Sequence, residues 1–266
     1  MAATFTFIRH GESTDNVKDV WAGWADATLT VHGMNQARAL AESLAPINFH
    51  AILCSPLKRA EMTAQEVLKT QSRAPSLIKS PLLKERSFGI AEGKKTARKR
   101  DWSLTLTEQC ERGVYPSLVG RQEKFPDGES MDDVLARADK AWEQLLWPYV
   151  QEATEKDSQV HVAVVSHGLF IKETLRALAK YDSELDLSVP DGQWLRNTGW
   201  ARVVIRAKDS ASWQVELTHF NSCVHLNTVK RQQGGIGRGA FDARQKDIRG
   251  FFGGKSRSTS KDESRG

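Results

Sequence analysis

Two periodicities divide this chain. Short apolar or alternating runs lie at 4–8, 51–54, 76–79, 161–165, 201–207 and 213–217, and their length and β-branched or aromatic content predict strands. Apolar residues recur every three or four positions at 30–45, 56–70, 130–147 and 168–180, which predicts helices. Within 130–147, Val134, Leu135, Ala138, Ala141, Trp142 and Leu145 share one face and form a core stripe. Ser130 and Asp133 give that helix a start resembling a capping box. Strands alternating with helices predict an α/β protein: a three-layer α/β/α sandwich around a mostly parallel sheet. Val203, Ile205 and Val215 suit late edge strands, for which antiparallel pairing is open.

Chemistry gathers where the strands stop. The run Thr4-Phe5-Thr6-Phe7-Ile8 delivers Arg9-His10-Gly11-Glu12. A neutral imidazole can attack phosphorus when a cation neutralises the phosphoryl oxygens, and the glycine lets a phosphate approach the backbone. Ala51-Ile52-Leu53 leads into Cys54-Ser55-Pro56-Leu57-Lys58-Arg59, with Ser55 as the expected N-cap, Pro56 at the first helical position and Arg59 in the first turn. The loop from Leu82 to Gly93 carries Glu85 and Glu92 among two glycines, and Val162-Ala163-Val164-Val165 ends in Ser166-His167-Gly168. Each segment alone is compatible with a surface turn or an exposed helix residue. Packing does not account for Arg-His, Arg, Glu and His presented in that order at four strand or loop ends.

The four segments together resemble the phosphoglycerate-mutase-like branch of the histidine phosphatase superfamily, over roughly residues 4–207. The resemblance implies that His10 is the nucleophile that becomes phosphohistidine. It implies that Arg9 and Arg59 clamp the phosphoryl group with their forked donors, and that His167 donates to the same group. Glu85 would protonate the leaving alkoxide and then assist water. Asn16 matches the family's polar pocket residue. Trp21-Ala22-Gly23-Trp24 and Leu29-Thr30 match the segment that completes the rim, with Gly23 expected to bind substrate. The core motifs follow the family pattern throughout, which implies an active catalyst. No cofactor is expected and no metal site, since two arginines and a histidine can neutralise a transferring phosphoryl group. His32, His50, His161, His219 and His225 are scattered and expected to be structural or solvent-facing.

Composition changes this picture at two places. Between Glu85 and Glu129 lies an insertion, expected to form a small cap at about 90–128, with the cationic run Lys94-Lys95-Thr96-Ala97-Arg98-Lys99-Arg100. In the family such an insertion covers the pocket and selects the substrate. A basic cap would favour polyanionic sugars or phosphopeptides, while a solvated face explains the run equally well. The second change comes after residue 229. The chain carries +5 overall, whereas 230–266 alone carries +6, so the body at 1–229 is close to neutral. Eight of the 19 glycines also fall in this segment, which predicts a catalytic domain at 1–229 and a flexible, disordered tail at 230–266.

Within that tail, Gln245-Lys246-Asp247-Ile248-Arg249-Gly250-Phe251-Phe252 resembles the peptide that docks on the replication sliding clamp, PCNA. One helical turn would set Ile248, Phe251 and Phe252 on one side as an apolar plug, with Gln245 at its edge. The competing explanation has the two phenylalanines packing back on the body. Cys54, Cys110 and Cys223 show no Cys-x-x-Cys pair and are expected to be free thiols in a reducing compartment. No apolar run approaches membrane-spanning length and no signal peptide is evident, so the expected location is the cytoplasm, and the nucleus if the tail meets a clamp. Membrane association and sequence-specific nucleic-acid binding are not expected.

The sequence thus predicts a metal-independent phosphomonoesterase acting through phosphohistidine on a phosphorylated small molecule or phosphoprotein. A phosphoglycerate-type mutase would share every catalytic residue. A clamp-binding adaptor with a vestigial phosphatase domain is the alternative of another class. Substrate identity and oligomeric state are not encoded in any motif.

Overall fold

A computed structural model describes residues 1–97, 99–182, 184–185, 194–208, 212–233 and 235–244. The clamp-like motif at 245–252, with Gln245, Ile248, Phe251 and Phe252, lies outside them.

The strands are β1 (Ala2–Arg9), β2 (Ala51–Cys54), β3 (Ser76–Lys79), β4 (Gln159–Ser166), β5 (Trp200–Ala207) and β6 (Trp213–Ser222). They form one sheet in the order β3-β2-β4-β1-β5-β6. The first four are parallel, and β5 and β6 close the edge antiparallel, as the late position of Val203, Ile205 and Val215 allowed. The α/β architecture is the one the alternating pattern implies.

Period-2 alternation sorts the central strands onto two cores. Phe5, Phe7, Val162, Val164 and Val203 face the layer built from α4 (Met131–Ala141), α5 (Trp147–Glu155) and α6 (Gly168–Ala177). Ile8, Ile52, Ala163 and Val165 face the layer built from α1 (Val31–Leu44) and α2 (Lys58–Lys69). Trp142 is fully buried in the first core, edge-on to Phe5 at 5.2 Å between centroids, with its indole N–H donating to Thr174 O. The sheet is therefore covered on both faces.

Two helix boundaries differ from the expected ones. The helix opened by the Ser130–Asp133 capping box continues past 147 to Glu155, through a π-helical turn at Trp142–Leu146. Trp147 N–H reaches back to Trp142 O, and this widened turn carries the chain past Pro148, which has no N–H to offer. Proline ends a helix only where no such adjustment is made. The helix expected from 56 starts at Lys58, with Leu57 as an N-cap that makes no side-chain bond. Ser55 is not its cap.

The insertion folds as a small lobe. A turn at Gly89–Ala91 and the short helix α3 (Leu106–Glu111) surround a cluster of Phe88, Ala91, Cys110 and Phe125. Trp21 joins this cluster, 4.6 Å from Phe88 and 5.3 Å from Phe125 between centroids, and ties the lobe to the rim. Of the cationic run, Lys94, Lys95 and Lys99 are exposed, whereas Arg100 is paired with Glu123.

The chain beyond 229 also departs from expectation. Arg231 forms an ion pair with Glu12, Val31 N–H donates to Gly239 O, and Phe241 N–H donates to Leu29 O. Phe241 packs with Leu29, Met34 and Ala37. Contacts with the body therefore continue beyond 229 as far as Phe241. A glycine-rich composition concealed a strap whose bonds are mostly to its own backbone, where composition carries no signal. Among the described residues no helix is long and apolar enough to cross a membrane.

Candidate active site

The register of the parallel strands builds the site. Arg9 pairs with Ser166 across β1 and β4, so the residues that follow, His10 and His167, emerge side by side. Their ring centroids lie 5.0 Å apart. β2 ends one strand over, where Cys54 pairs with Val165 and Ser55 N–H donates to Val165 O. This is the carboxyl edge of an open α/β sheet, beside the strands where the chain reverses its winding direction.

His10 is buried, and its Nδ1 lies 2.7 Å from Gly11 O. A carbonyl only accepts, so Nδ1 carries the proton and Nε2 presents its lone pair. Burial, followed by the nearby guanidiniums of Arg59 and Arg9, holds the His10 pKa well below the usual histidine value, against an opposing pull from Gly11 O. The imidazole is neutral at physiological pH, the form that can act as a nucleophile.

His167 is fully buried, and its pKa is also held well below the usual value by burial and then by Arg59, His10, Arg9 and Arg137. Its Nε2 lies 2.8 Å from Ser55 Oγ, while its Nδ1 is buried without a partner among the described residues. Ser55 Oγ also accepts from Leu57 N–H at 3.3 Å. Where the hydroxyl gives its proton to Nε2, Nδ1 carries the N–H of His167 and is free to donate.

The two arginines are held from behind. Arg59 is 1% exposed and donates from Nη1 to Ala25 O and from Nη2 to Gly23 O, at 2.7 and 2.6 Å. Burial lowers its pKa and Glu85 opposes that shift first among several carboxylates. Arg9 donates from Nη1 to Leu195 O at 2.6 Å, and its Nε is buried without a partner among the described residues. Burial lowers the Arg9 pKa as well, with Glu85 again opposing.

Glu85 sits at the N-terminus of α6. Its carboxylate accepts from Leu169 N–H at 3.4 Å, Phe170 N–H at 3.2 Å and Arg86 N–H at 2.8 Å. The expected residues His10, His167, Arg9, Arg59 and Glu85 are thus brought together. Asn16 joins at the edge: its Oδ1 accepts from Ser13 N–H and from Asn197 Nδ2, which also donates to His10 O. Gly23 contributes its carbonyl to Arg59 and has φ +47°, and a Cβ there would lie 2.4 Å from Glu92 Oε1.

Several neighbours were not visible in the sequence. Thr63 Oγ1 accepts from Gly11 N–H, and Thr198 N–H donates to Arg9 O at 3.0 Å. Thr198 is buried with φ +58° and its hydroxyl lies 2.9 Å from His225 Nε2, so His225 supports the catalytic loop from a distance of 215 residues in sequence. Gly33 lets α1 press on that loop; a Cβ on it would lie 2.0 Å from Glu12 O. Glu129 does not cap α4. It pairs with Arg137 and takes Ser87 N–H. Cys54 is fully buried and burial, with Glu61, pushes its thiol up to about 12, so it is core filling and not a nucleophile.

A mostly parallel α/β sheet presenting two histidines, two arginines and a carboxylate at its carboxyl edge is the arrangement of a phosphoryl-transfer enzyme. The model of the histidine phosphatase superfamily (branch 1) matches residues 5–213, and the chain belongs to that family. A probable phosphatase of Schizosaccharomyces pombe is 32% identical over 253 residues, covering 93% of this chain and 79% of that protein. A 2,3-bisphosphoglycerate-dependent phosphoglycerate mutase of Bartonella henselae is 31% identical over 191 residues, covering 69% of this chain and 85% of the mutase. Among solved structures, a mycobacterial glucosyl-3-phosphoglycerate phosphatase in complex with VO3 superimposes with a TM-score of 0.63 at 25% identity, covering 82% of this chain and 99% of that one. The protein is a histidine phosphatase superfamily enzyme of the phosphatase kind.

Proposed function

We propose that the protein hydrolyses phosphate monoesters, without metal, through a phosphohistidine on Nε2 of His10. The observation that carries this reading is the bond from His10 Nδ1 to Gly11 O, which leaves Nε2 unprotonated on a ring that feels two guanidiniums. In the first step Nε2 forms a bond to phosphorus while the ester P–O bond breaks. Remaining donors on Arg9 and Arg59 and the Nδ1–H of His167 take up the charge on the phosphoryl oxygens. Glu85 supplies the proton that the leaving alkoxide needs. In the second step water attacks phosphorus, Glu85 accepts its proton, and the N–P bond breaks to restore His10 and release phosphate.

Hydrolysis is favoured over mutase chemistry by the extent of the likenesses. The S. pombe phosphatase matches 93% of this chain, whereas the mutase matches 69%. The substrate class proposed is a phosphorylated small molecule, in keeping with the sugar-phosphate ester named for the mycobacterial relative. Exposed Lys94 and Lys95 beside the rim favour one with a further anionic group. Recruitment to the sliding clamp through 245–252, and with it a nuclear fraction beside a cytoplasmic one, is proposed on the sequence pattern alone.

The deciding experiment compares wild type with His10→Ala on a panel of phosphate esters after metal chelation. Hydrolysis lost in the variant, with acid-labile phosphate trapped on wild type, supports the reading; equal rates overturn it. Phosphoryl return to 3-phosphoglycerate from a bisphosphorylated primer would establish the mutase instead. For the tail, a peptide of residues 240–260 that binds the clamp no tighter than its Phe251→Ala/Phe252→Ala control removes the recruitment proposal.

A further inference from the structure

The loop that carries Glu85 is not held by its own secondary structure. Residues 84–88 follow a short 3-10 turn at Pro81–Leu83 and precede another at Gly89–Ala91. The carbonyls on either side of Glu85 are instead collected by one side chain of α4. Arg137 Nη1 donates to Leu82 O at 2.9 Å and to Lys84 O at 2.7 Å, and Nη2 donates to Glu85 O at 3.0 Å. Its Nε and Nη2 form a two-point pair with the Glu129 carboxylate, both at 2.8 Å. All five guanidinium N–H donors are therefore engaged, three of them on the Glu85 loop.

Glu129 closes the brace from the other side. Its Oε2 accepts from Ser87 N–H at 2.8 Å, and Glu129 N–H donates to Ser87 O at 2.9 Å. The guanidinium of Arg137 also lies over the Phe170 ring, 4.9 Å from its centroid, and Phe170 N–H is a donor to the Glu85 carboxylate. One ion pair thus spans the backbone of residues 82–87 and the helix end on which the Glu85 carboxylate rests. Both charges are nearly out of solvent, with side chains 12% and 19% exposed. A planar fork with five donors can do this, whereas a lysine ammonium, with three donors from one point, cannot.

We infer that Arg137, with Glu129, is a positioning pair that holds the Glu85 carboxyl in place for proton transfer to the leaving group; this rests on the function proposed above. Neither residue touches the reacting atoms. The pair acts by fixing the peptide units on both sides of Glu85, and a shift of about 1 Å in a proton donor can cost a factor of about 100.

The test uses the full-length protein and two substrates that differ in their need for a proton. An alkyl phosphate monoester has a poor leaving group and requires the acid; p-nitrophenyl phosphate releases a stabilised phenolate and does not. Glu85→Gln serves as the benchmark, and kcat/KM is measured for Arg137→Lys and Glu129→Gln. The expected result is a loss of about 30-fold or more on the alkyl ester with a change of no more than about threefold on p-nitrophenyl phosphate. A loss equal on both substrates, or absent from both, overturns the pairing. Glu129→Gln preserves side-chain shape while replacing one accepting oxygen with an NH2 group, so it loosens the brace without a change of volume and decides the question if Arg137→Lys does not fold. Discrimination in Glu85→Gln but in neither brace variant removes the brace alone. A Glu85→Gln enzyme without discrimination removes the proton-donor assignment, and the brace with it.

Discussion

Ser55 Oγ lies 2.8 Å from Nε2 of His167, and this contact anchors the imidazole by the nitrogen opposite its partnerless Nδ1. The hydroxyl is itself held by Leu57 N–H at 3.3 Å, so the ring is fixed from the β2 side. Ser55→Ala is expected to free the ring of His167 and lower kcat/KM by about tenfold, the equivalent of one lost oriented hydrogen bond. Steady-state kinetics beside a melting curve checks this; a changed Tm with unchanged kcat/KM would make Ser55 structural only.

Gly23 lies in the left-handed region at φ +47° and faces Glu92, whose Oε1 accepts from Trp24 N–H and Phe88 N–H. A methyl group would meet that oxygen at 2.4 Å. Gly23→Ala is expected to cost on the order of 1–2 kcal/mol in backbone strain and to displace the carbonyl that holds Arg59. Weaker inhibition by orthovanadate, measured beside thermal stability, would show both effects; unchanged inhibition would argue that the rim is independent of Arg59.

The strap beyond 229 is expected to support the catalytic loop. Truncation after Val229 removes the Arg231–Glu12 pair, the bonds at Val31 and Leu29, and Phe241 from the cluster with Met34. Its loss should destabilise the fold by on the order of 2 kcal/mol and lower activity, while truncation after Arg244 should do neither. Urea melts of the two proteins separate these outcomes, and equal midpoints would show the strap to be passive.

Stability should fall in mild acid. Burial brings His161 and His225 down to about 4 in the folded protein, with smaller contributions from Arg202 and Arg196 respectively, and the unfolded chain takes up protons near 6.5. Between those values the unfolded state binds more protons, so stability is complete above about pH 6.5 and is lost as the pH drops towards 4, by up to ~1.4 kcal/mol per pH unit for each group. His10 and His167, also held neutral, act in the same direction. Urea midpoints at pH 7 and pH 5 check this, and His161→Gln, which keeps a partner for Thr6 Oγ1, should flatten the dependence.

Much of the fold was legible because its elements are repeating patterns. Phe5 and Phe7 alternate with Thr6 and Ile8, and all six strands stand where such alternation or apolar density placed them. The catalytic set was legible for a different reason: Arg9, His10, Arg59, Glu85 and His167 each lie within a short local motif at the end of an element. What failed was local inference about boundaries. The helix expected over 130–147 runs on to Glu155 through a π turn, and Ser55, expected as an N-cap, instead places its hydroxyl on His167.

The order of strands along the chain, the two apolar faces and the chemical types at the strand ends were thus determined by the sequence itself, since each follows from neighbours within a few residues. The tertiary structure decided the rest. Register between β1 and β4 set His10 beside His167, residues 157 apart in sequence. Packing brought Arg137 to three carbonyls more than fifty residues upstream, and Thr198 and Arg231 to the loop at 9–12. Such contacts leave no periodic trace, because a hydrogen bond to a backbone carbonyl demands nothing of the partner's side chain and a single distant ion pair does not recur.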